Sequence, residues 1–370
     1  MENEKTTKGG DVDTEVKRKL ASVQKVLDIQ PIPGADRIEK ILILGWHVVV
    51  KKGEFEVGDF CVYFEVDSVL PRRSWSEFLV DENRPDKPIR LKTIRLRKQV
   101  SQGLAISVKD AELAMIPHEC DIGYDVTERL GVTKYEPPLP AELQGMVRGN
   151  FPSFLKKTDT HRIQAHPRAI EELKACDEVY MTIKYDGTSS TFYNRFAQAM
   201  DAMAPLVDDF GVCSRNMDLK HSETNTYWKM AEKYELARIL AGREWAIQAE
   251  THGLGIQGNR LGLKDVSLGV FDAFDIQDYR YFDLDELIRL CDVNALPMVK
   301  VVYRGPMKWD TVDELVALSE SMNYPNHTDE HDSPAEGIII RPTVERYSES
   351  LQGRLAVKVI SPRFLLKHGH

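Results

Sequence analysis

Residues Ala21 to about Asp110 are cut by turn residues into short β-prone runs, and that spacing leaves few folds open. The runs are Ser22 to Gln30, Ile38 to Val50, Asp59 to Val66, Ile89 to Leu96 and Gly103 to Val108. Pro31-Ile32-Pro33-Gly34, Lys52-Gly53 and Val57-Gly58-Asp59 supply turns between them. Five short, glycine-punctuated strands predict a small closed barrel of the OB type. A small barrel or sandwich without a ligand would carry the same pattern.

The rest of the 370 residues needs a second core. Tyr135 to Pro152, with Pro137-Pro138-Leu139-Pro140 and the stretch Gly145 to Asn150, reads as a connector. After it come a short helix at Ala169 to Ala175 and a strand from Val179. Helical patterns at Ser222 to Ala241, Leu284 to Leu290 and Thr311 to Met322 are mixed irregularly with further strands. That mixture predicts an α+β domain. The expected division is a flexible tail over 1–20, an OB-type domain over 21–134, a linker over 135–156 and an α+β domain over 157–370.

Composition removes several classes of function. No run of about 18 apolar residues exists to span a membrane. The charged start, Met1 to Leu20, lacks the apolar centre of a secretory signal. The five cysteines, Cys61, Cys120, Cys176, Cys213 and Cys291, stand far apart without a C-x-x-C, which argues against a zinc site and suits a reducing cytosol or nucleus.

A net charge of -9 argues against a bulk electrostatic sponge for nucleic acid. Positive charge is nonetheless concentrated: Arg84, Lys87, Arg90, Lys92, Arg95, Arg97 and Lys98 fall within fifteen residues, offset by Asp86. Arg90/Lys92 and Arg95/Arg97 have strand spacing, so each pair is expected to present two cations on one face. Such a strip could track a phosphate backbone. A solvated edge strand guarded by charge would look the same.

The reactive chemistry lies downstream. Lys184-Tyr185-Asp186-Gly187-Thr188 sits between the apolar run Val179 to Ile183 and the Ser/Thr-rich run Ser189 to Tyr193. A lysine ending a strand beside a carboxylate and a glycine has the parts of a covalent nucleophile. Its amine must shed a proton, helped by desolvation or neighbouring cations, and the glycine leaves backbone room for a phosphate. An exposed turn between two strands would also fit. Five later patches have suitable chemistry. Arg215 follows Gly211 to Ser214, and Glu250 ends the strand-like run Trp245 to Ala249. Phe271 and Phe274 lie within Gly269 to Ile276, Glu336 opens a β-branched run to Arg341, and Lys358 stands between Val357 and Val359. Arg215 could instead pair with a surface acid, the phenylalanines could be core, and Glu336 could cap a strand. Lys358 is harder to place in a core, because an unpaired buried ammonium is costly. It is expected to face a cleft and an anion.

In this order, over Lys184 to Pro362, the patches resemble the covalent nucleotidyltransferase superfamily of ATP-dependent polynucleotide ligases and mRNA capping enzymes. Lys184 to Gly187 resembles motif I with its nucleophilic lysine, and Arg215 falls at motif Ia. Glu250 matches motif III, Phe271 to Ile276 motif IIIa, Glu336 to Arg341 motif IV, and Lys358 motif V. Only twelve residues follow Lys358, and the OB-type segment precedes motif I. That layout resembles the Deinococcus- and Naegleria-type ATP-dependent RNA ligases, an OB module before a nucleotidyltransferase (ligase adenylation) domain. Lys157 to Gln164 and Lys358 to Ser361 are similar to that group too. One departure is that Ala356 and Ile360 stand where related enzymes often have a second motif V lysine, so no role for one carries over.

The resemblance implies an ATP-dependent RNA ligase. Lys184 would attack the ATP α-phosphorus, release pyrophosphate and hold AMP as a phosphoramidate. The AMP would pass to an RNA 5′-phosphate, and a 3′-hydroxyl would then expel it and seal the strand. Lys358 would contact the phosphate, while Asp186, Glu250 and Glu336 would hold Mg²⁺ or Mn²⁺ through its waters. The metal and Lys358 would lower the pKa of Lys184. Gly187 would give the nucleotide clearance, Phe274 would stack on adenine, and Arg215 would hold the ribose or the RNA 5′-phosphate. Arg90, Lys92, Arg95, Arg97 and Lys98 would hold the strand bearing the 3′-hydroxyl. The expected partner is RNA with 3′-hydroxyl and 5′-phosphate ends, nicked or paired, with no membrane and no obligate protein partner. A DNA ligase or a guanylyl-transferring capping enzyme would share the lysine. A non-catalytic RNA-binding protein would bind RNA without carrying AMP.

Overall fold

The computed structural model describes residues 18–108, 121–136, 145–197 and 207–369. Most of the tail expected over 1–20, and residues 137–144 of the expected linker, lie outside them. The N-terminal strands are β1 (Ala21–Lys25), β2 (Asp28–Pro31), β3 (Ile38–Ile43), β4 (Trp46–Lys51), β5 (Phe60–Phe64), β6 (Ser68–Leu70), β7 (Ile89–Arg90), β8 (Thr93–Leu96), β9 (Gln99–Gln102), β10 (Leu104–Ser107) and β11 (Thr133–Lys134). The run Ile38 to Val50 is two strands, because Leu44 at φ 55° reverses the chain between them. Sheets β1-β5-β10, β2-β3-β4 and β11-β6-β7 wrap an apolar interior. Cys61 and Tyr63 of β5 join Trp46 and Val48 there, while Val62 and Phe64, on the opposite phase, pack with Trp75 and Ile89.

The basic segment does not form the two expected strand-spaced pairs. β7 stops at Arg90 and β8 at Leu96, and Arg97 and Lys98 make a two-residue turn with φ 47° and 67°. Arg90 is half-buried, pairs with Asp67 at 2.7 Å and lies over the Tyr135 ring. Lys92 donates to the Gly369 carbonyl. The break after Arg90 thus turns these two cations to structural use.

The second domain runs β12 (Val147–Asn150), β13 (His161–Arg162), α1 (Ala169–Lys174), β14 (Val179–Lys184), β15 (Thr188–Ala197), β16 (Val207–Cys213), β17 (Met217–Leu219), α2 (Thr226–Lys233), α3 (Leu236–Leu240), β18 (Trp245–Gly253), β19 (Val266–Asp275), β20 (Arg280–Tyr281), α4 (Leu284–Val293), β21 (Val301–Gly305), α5 (Val312–Ser321), β22 (Gly337–Pro342), β23 (Tyr347–Ser348), β24 (Gly353–Arg354), β25 (Val357–Ile360) and α6 (Pro362–His368). The linker expected over 135–156 is too long: β12 pairs with β17, and Phe151, Phe154 and Leu155 pack against the same sheet. The helical pattern over Ser222 to Ala241 splits at Glu235, whose φ is 51°.

Two sheets face each other, in the orders β12-β17-β16-β15-β18-β19-β20 and β13-β25-β22-β14-β21. In the five-stranded sheet, Val179, Met181, Ile338, Ile340, Val357 and Val359 pack against α1 and α5. Strand alternation therefore turns Thr182, Lys184 and Lys358 to the opposite face. In the seven-stranded sheet, Ile247 and Ala249 pack under α2, α3 and α4, which turns Gln248 and Glu250 the other way. One end of the space between is tied by Asp272, which takes Arg354 at 2.7 and 2.8 Å and Arg341 at 3.2 Å. The architecture is α+β: an OB-type barrel, then a two-sheet domain backed by helices. Among the described residues, no helix is long and apolar enough to cross a membrane.

The domains touch directly. Gly45, in the β3–β4 turn, donates its N–H to the Gln164 carbonyl at 2.8 Å. His47 lies 2.9 Å from Asp313 of α5. Asp67 of the barrel holds Arg162 of β13 at 3.0 Å as well as Arg90.

Candidate active site

Lys184 is the last residue of β14, and its ammonium donates to Glu336 at 2.5 Å. Lys184 is opposite Gly337 in the ladder, so Glu336 precedes that pair by one residue. Gly337 is required there: at φ 156°, an added Cβ would lie 2.0 Å from the Val359 carbonyl oxygen. Glu250 comes from the other sheet, paired with Ser189 at the start of β15. Gly187 lets the turn between β14 and β15 press onto that strand. A Cβ on Gly187 would meet the Thr251 carbonyl oxygen at 2.3 Å and Glu250 Cγ at 2.9 Å. The expected lysine, glycine and carboxylates thus converge from two sheets.

Their charges are strongly coupled. Burial pushes Glu250 up to about 8; Lys184 opposes that shift, and Glu336 and Asp186 reinforce it. Burial and Glu336 bring Asp186 up to about 6, against the pull of Arg260 and Lys184. Burial pulls the Lys184 ammonium down, but Glu336, Glu250 and Asp186 outweigh it, and its pKa stands above that of an ordinary lysine. The depressed pKa expected of Lys184 is therefore not produced by the protein's own groups. Lys358 behaves oppositely: burial, with Arg162 and Lys184 adding and Asp159 resisting, lowers it to about 7. It has no hydrogen-bond or ion-pair partner among the described residues, and lies on the same sheet face as Lys184.

Other expected residues are placed differently. Phe274 is 1% exposed, packed with Leu155, Tyr193 and Ala246 and edge-on to Tyr279 and Tyr281. Its faces are covered, so it is a core residue and not a platform for adenine. Phe271 is half-buried instead, the unpaired residue of a bulge where Asp272 opposes Gln248 and Val270 opposes Ala249. Arg215 is half-exposed and paired with Asp159 at 2.6 Å. Arg95, Arg97 and Lys98 are exposed, with no partner among the described residues.

Two residues were missed. Arg260 faces Asp186 at 3.0 Å, and Asp159 holds Arg215 while lying in the field of Lys358 and Lys134. Arg260 follows the glycine-rich His252 to Gly258 loop, a sequence signal for a rim segment without an assigned role.

Comparisons with known proteins identify the family. A family model for RNA ligase matches residues 177–360, and an OB-fold domain model matches residues 20–108. A Naegleria gruberi RNA ligase variant solved with ATP and Mn is 33% identical, with a TM-score of 0.80 over 95% of this chain and 100% of that one. The chain belongs to the RNA ligase family. A structure of the Naegleria RNA ligase with PPi is also 33% identical, with a TM-score of 0.78 over 95% of this chain and 99% of that one. None of the curated proteins matches the chain. This RNA ligase is accordingly an RNA-joining enzyme built from an OB-type domain and a ligase domain.

The carboxylates suit a hard divalent cation. Asp186, Glu250 and Glu336 offer only oxygen donors, and Asp186 Oδ2 is buried, with Arg260 3.0 Å away. Among the described residues no three His, Cys, Asp or Glu side chains form a ready-made cage.

Proposed function

We propose that this RNA ligase seals RNA 3′-hydroxyl and 5′-phosphate ends with ATP, through a lysyl-AMP on Lys184 and an adenylated RNA end. The observation that carries the reading is Lys184 at a strand end, in contact with Glu336 and flanked by Glu250 and Asp186, with Lys358 unpaired on the same face. The Naegleria structures solved with ATP and with AMP and Mn support the choice of nucleotide and metal.

Once its ammonium has lost a proton to solvent, Lys184 attacks the α-phosphorus through Nζ, forming the P–N bond as the bond to the leaving pyrophosphate breaks. Lys358 neutralises charge growing on the α-phosphate oxygens. A divalent cation, Mg²⁺ or Mn²⁺, held by Asp186, Glu250 and Glu336, would draw off the carboxylate charge that keeps Lys184 protonated and would polarise the phosphate. Arg260 holds Asp186 in place. Arg215, released from Asp159, is free to meet the ribose or the RNA 5′-phosphate. Arg95, Arg97 and Lys98 on the barrel hold the strand with the 3′-hydroxyl. The four described cysteines are free, in keeping with the cytosol or nucleus.

Intact-mass measurement after incubation with ATP and Mg²⁺, with GTP and NAD⁺ in parallel, tests the reading. The expected result is one adenylyl group from ATP alone, mapped to Lys184 and missing in Lys184→Ala. Appreciable self-adenylylation by that variant would sink the assignment.

A further inference from the structure

Tyr324 lies in the segment between α5 and β22, outside every motif that the sequence singles out. It is 2% exposed, and its ring packs with Ile183, Leu261, Ile360 and Phe364. Its hydroxyl donates to the Lys184 carbonyl at 3.1 Å. It accepts from the Asp186 N–H at 2.9 Å and from the Glu336 N–H at 3.1 Å. A phenol has one proton to donate and lone pairs to accept with. Here that capacity goes to the backbone on either side of Tyr185 and to Glu336, the residue just before β22.

The segment that carries Tyr324 is itself fixed. Tyr324 donates its N–H to Ser333 at 2.9 Å, and Ala335 donates to Met322 at 3.0 Å. Arg363, on α6, donates to the Glu320 carbonyl at 2.9 Å and to Asn323 at 3.0 Å. Asn326 and Ser333 donate to the Arg260 carbonyl at 3.1 and 3.0 Å. One oxygen therefore refers the backbones of Lys184, Asp186 and Glu336 to the helix that follows Lys358.

We propose that Tyr324 is a positioning residue for nucleotidyl transfer: its hydroxyl sets the Lys184 amine and the Asp186 and Glu336 carboxylates relative to one another. The inference rests on Lys184 as the nucleophile. Tyr324 touches no reacting atom. Without its oxygen, two N–H groups and a carbonyl lose their shared partner, and the ends of β14 and β22 can drift apart.

Tyr324→Phe in the full chain keeps the ring and removes only the hydroxyl. Single-turnover transfer of label from α-labelled ATP to protein, over a range of ATP concentrations, separates maximal rate from half-saturation. The expected result is a maximal rate about 100-fold lower, the cost of a misplacement near 1 Å, with half-saturating ATP within about threefold of wild type. Leu365→Ala loosens the same apolar cluster and leaves the hydroxyl intact. It is expected to melt earlier yet keep its maximal rate within about threefold. A wild-type rate in Tyr324→Phe, or an equal rate loss in Leu365→Ala, would overturn the proposal. No label on Lys184 in the wild type would instead remove the nucleophile reading, and this proposal with it.

Discussion

Replacing Gly187 by alanine would drive a methyl group into the Thr251 carbonyl, so the β14–β15 turn would have to lift off β18. The expected cost is about 1–3 kcal/mol of stability, together with slower adenylylation as Lys184 moves away from Glu250. Thermal melting and ATP labelling check both, and a variant unchanged in each would show that the turn yields freely. Lys358 makes a pH prediction. Its folded pKa, about 7, lies below the 10.5 of a free lysine. The unfolded chain therefore binds the extra proton between those values, and this lysine makes stability rise with pH across that window. Lys358→Met should flatten that part of a denaturation-against-pH series; an unchanged slope would place the titration elsewhere. Lys184, Glu250, Glu336 and Lys358 were legible in sequence because each pairs a distinctive side chain with strand context. Phe274 was not, because what covers it, Leu155, lies more than a hundred residues away in sequence. Arg260 was invisible for the same reason: its partnership with Asp186 exists only after the chain has folded.

At the scale of elements, the β8–β9 hairpin carries an informative cost. Arg97 and Lys98 both occupy left-handed backbone, where the favoured pair in such a turn is Asn-Gly. Two L-residues there give up about 1–2 kcal/mol each. Exchanging Arg97 and Lys98 for Asn and Gly should raise the melting temperature while weakening RNA end joining and sparing Lys184 adenylylation. If joining survived at moderate salt, the tip would be an ordinary charged turn. The sequence showed where the barrel strands lie, since glycine and proline mark their ends. It did not show that β7 ends at Arg90, because the ion pair with Asp67 that uses this arginine is a tertiary contact. The connector was overextended for a similar reason: β12 has few strand-forming residues and is a strand because β17 offers it an edge.

For the whole molecule, Asp67 is the joint to test. It accepts from Arg90 within the barrel and from Arg162, 10% exposed, across the domain boundary. Asp67→Asn would leave Arg162 buried without its counter-charge, at a cost of about 3 kcal/mol. Calorimetry should show one transition in the wild type and an earlier, separate melting of the barrel in the variant. A single unshifted transition would mean that the domains are held mainly by other contacts. Burial works against the Asp67 carboxylate, yet Arg162 and Arg90 together hold its pKa below the ordinary value. Its contribution is therefore complete above the unfolded value and fades as pH falls through the folded one.

Lys184 and Glu250 belong to different sheets, joined at one edge by Asp272 and at the other by the close approach of Gly187 to β18. A chain in which either sheet is formed but undocked has a lysine and an acid, but no site. Taking up one nucleotide would then certify that a given molecule has finished folding. On the lysyl-AMP reading proposed above, the labelled fraction of any preparation, after refolding, storage or mutation, would be a head-count of native protein that needs no spectroscopic reference.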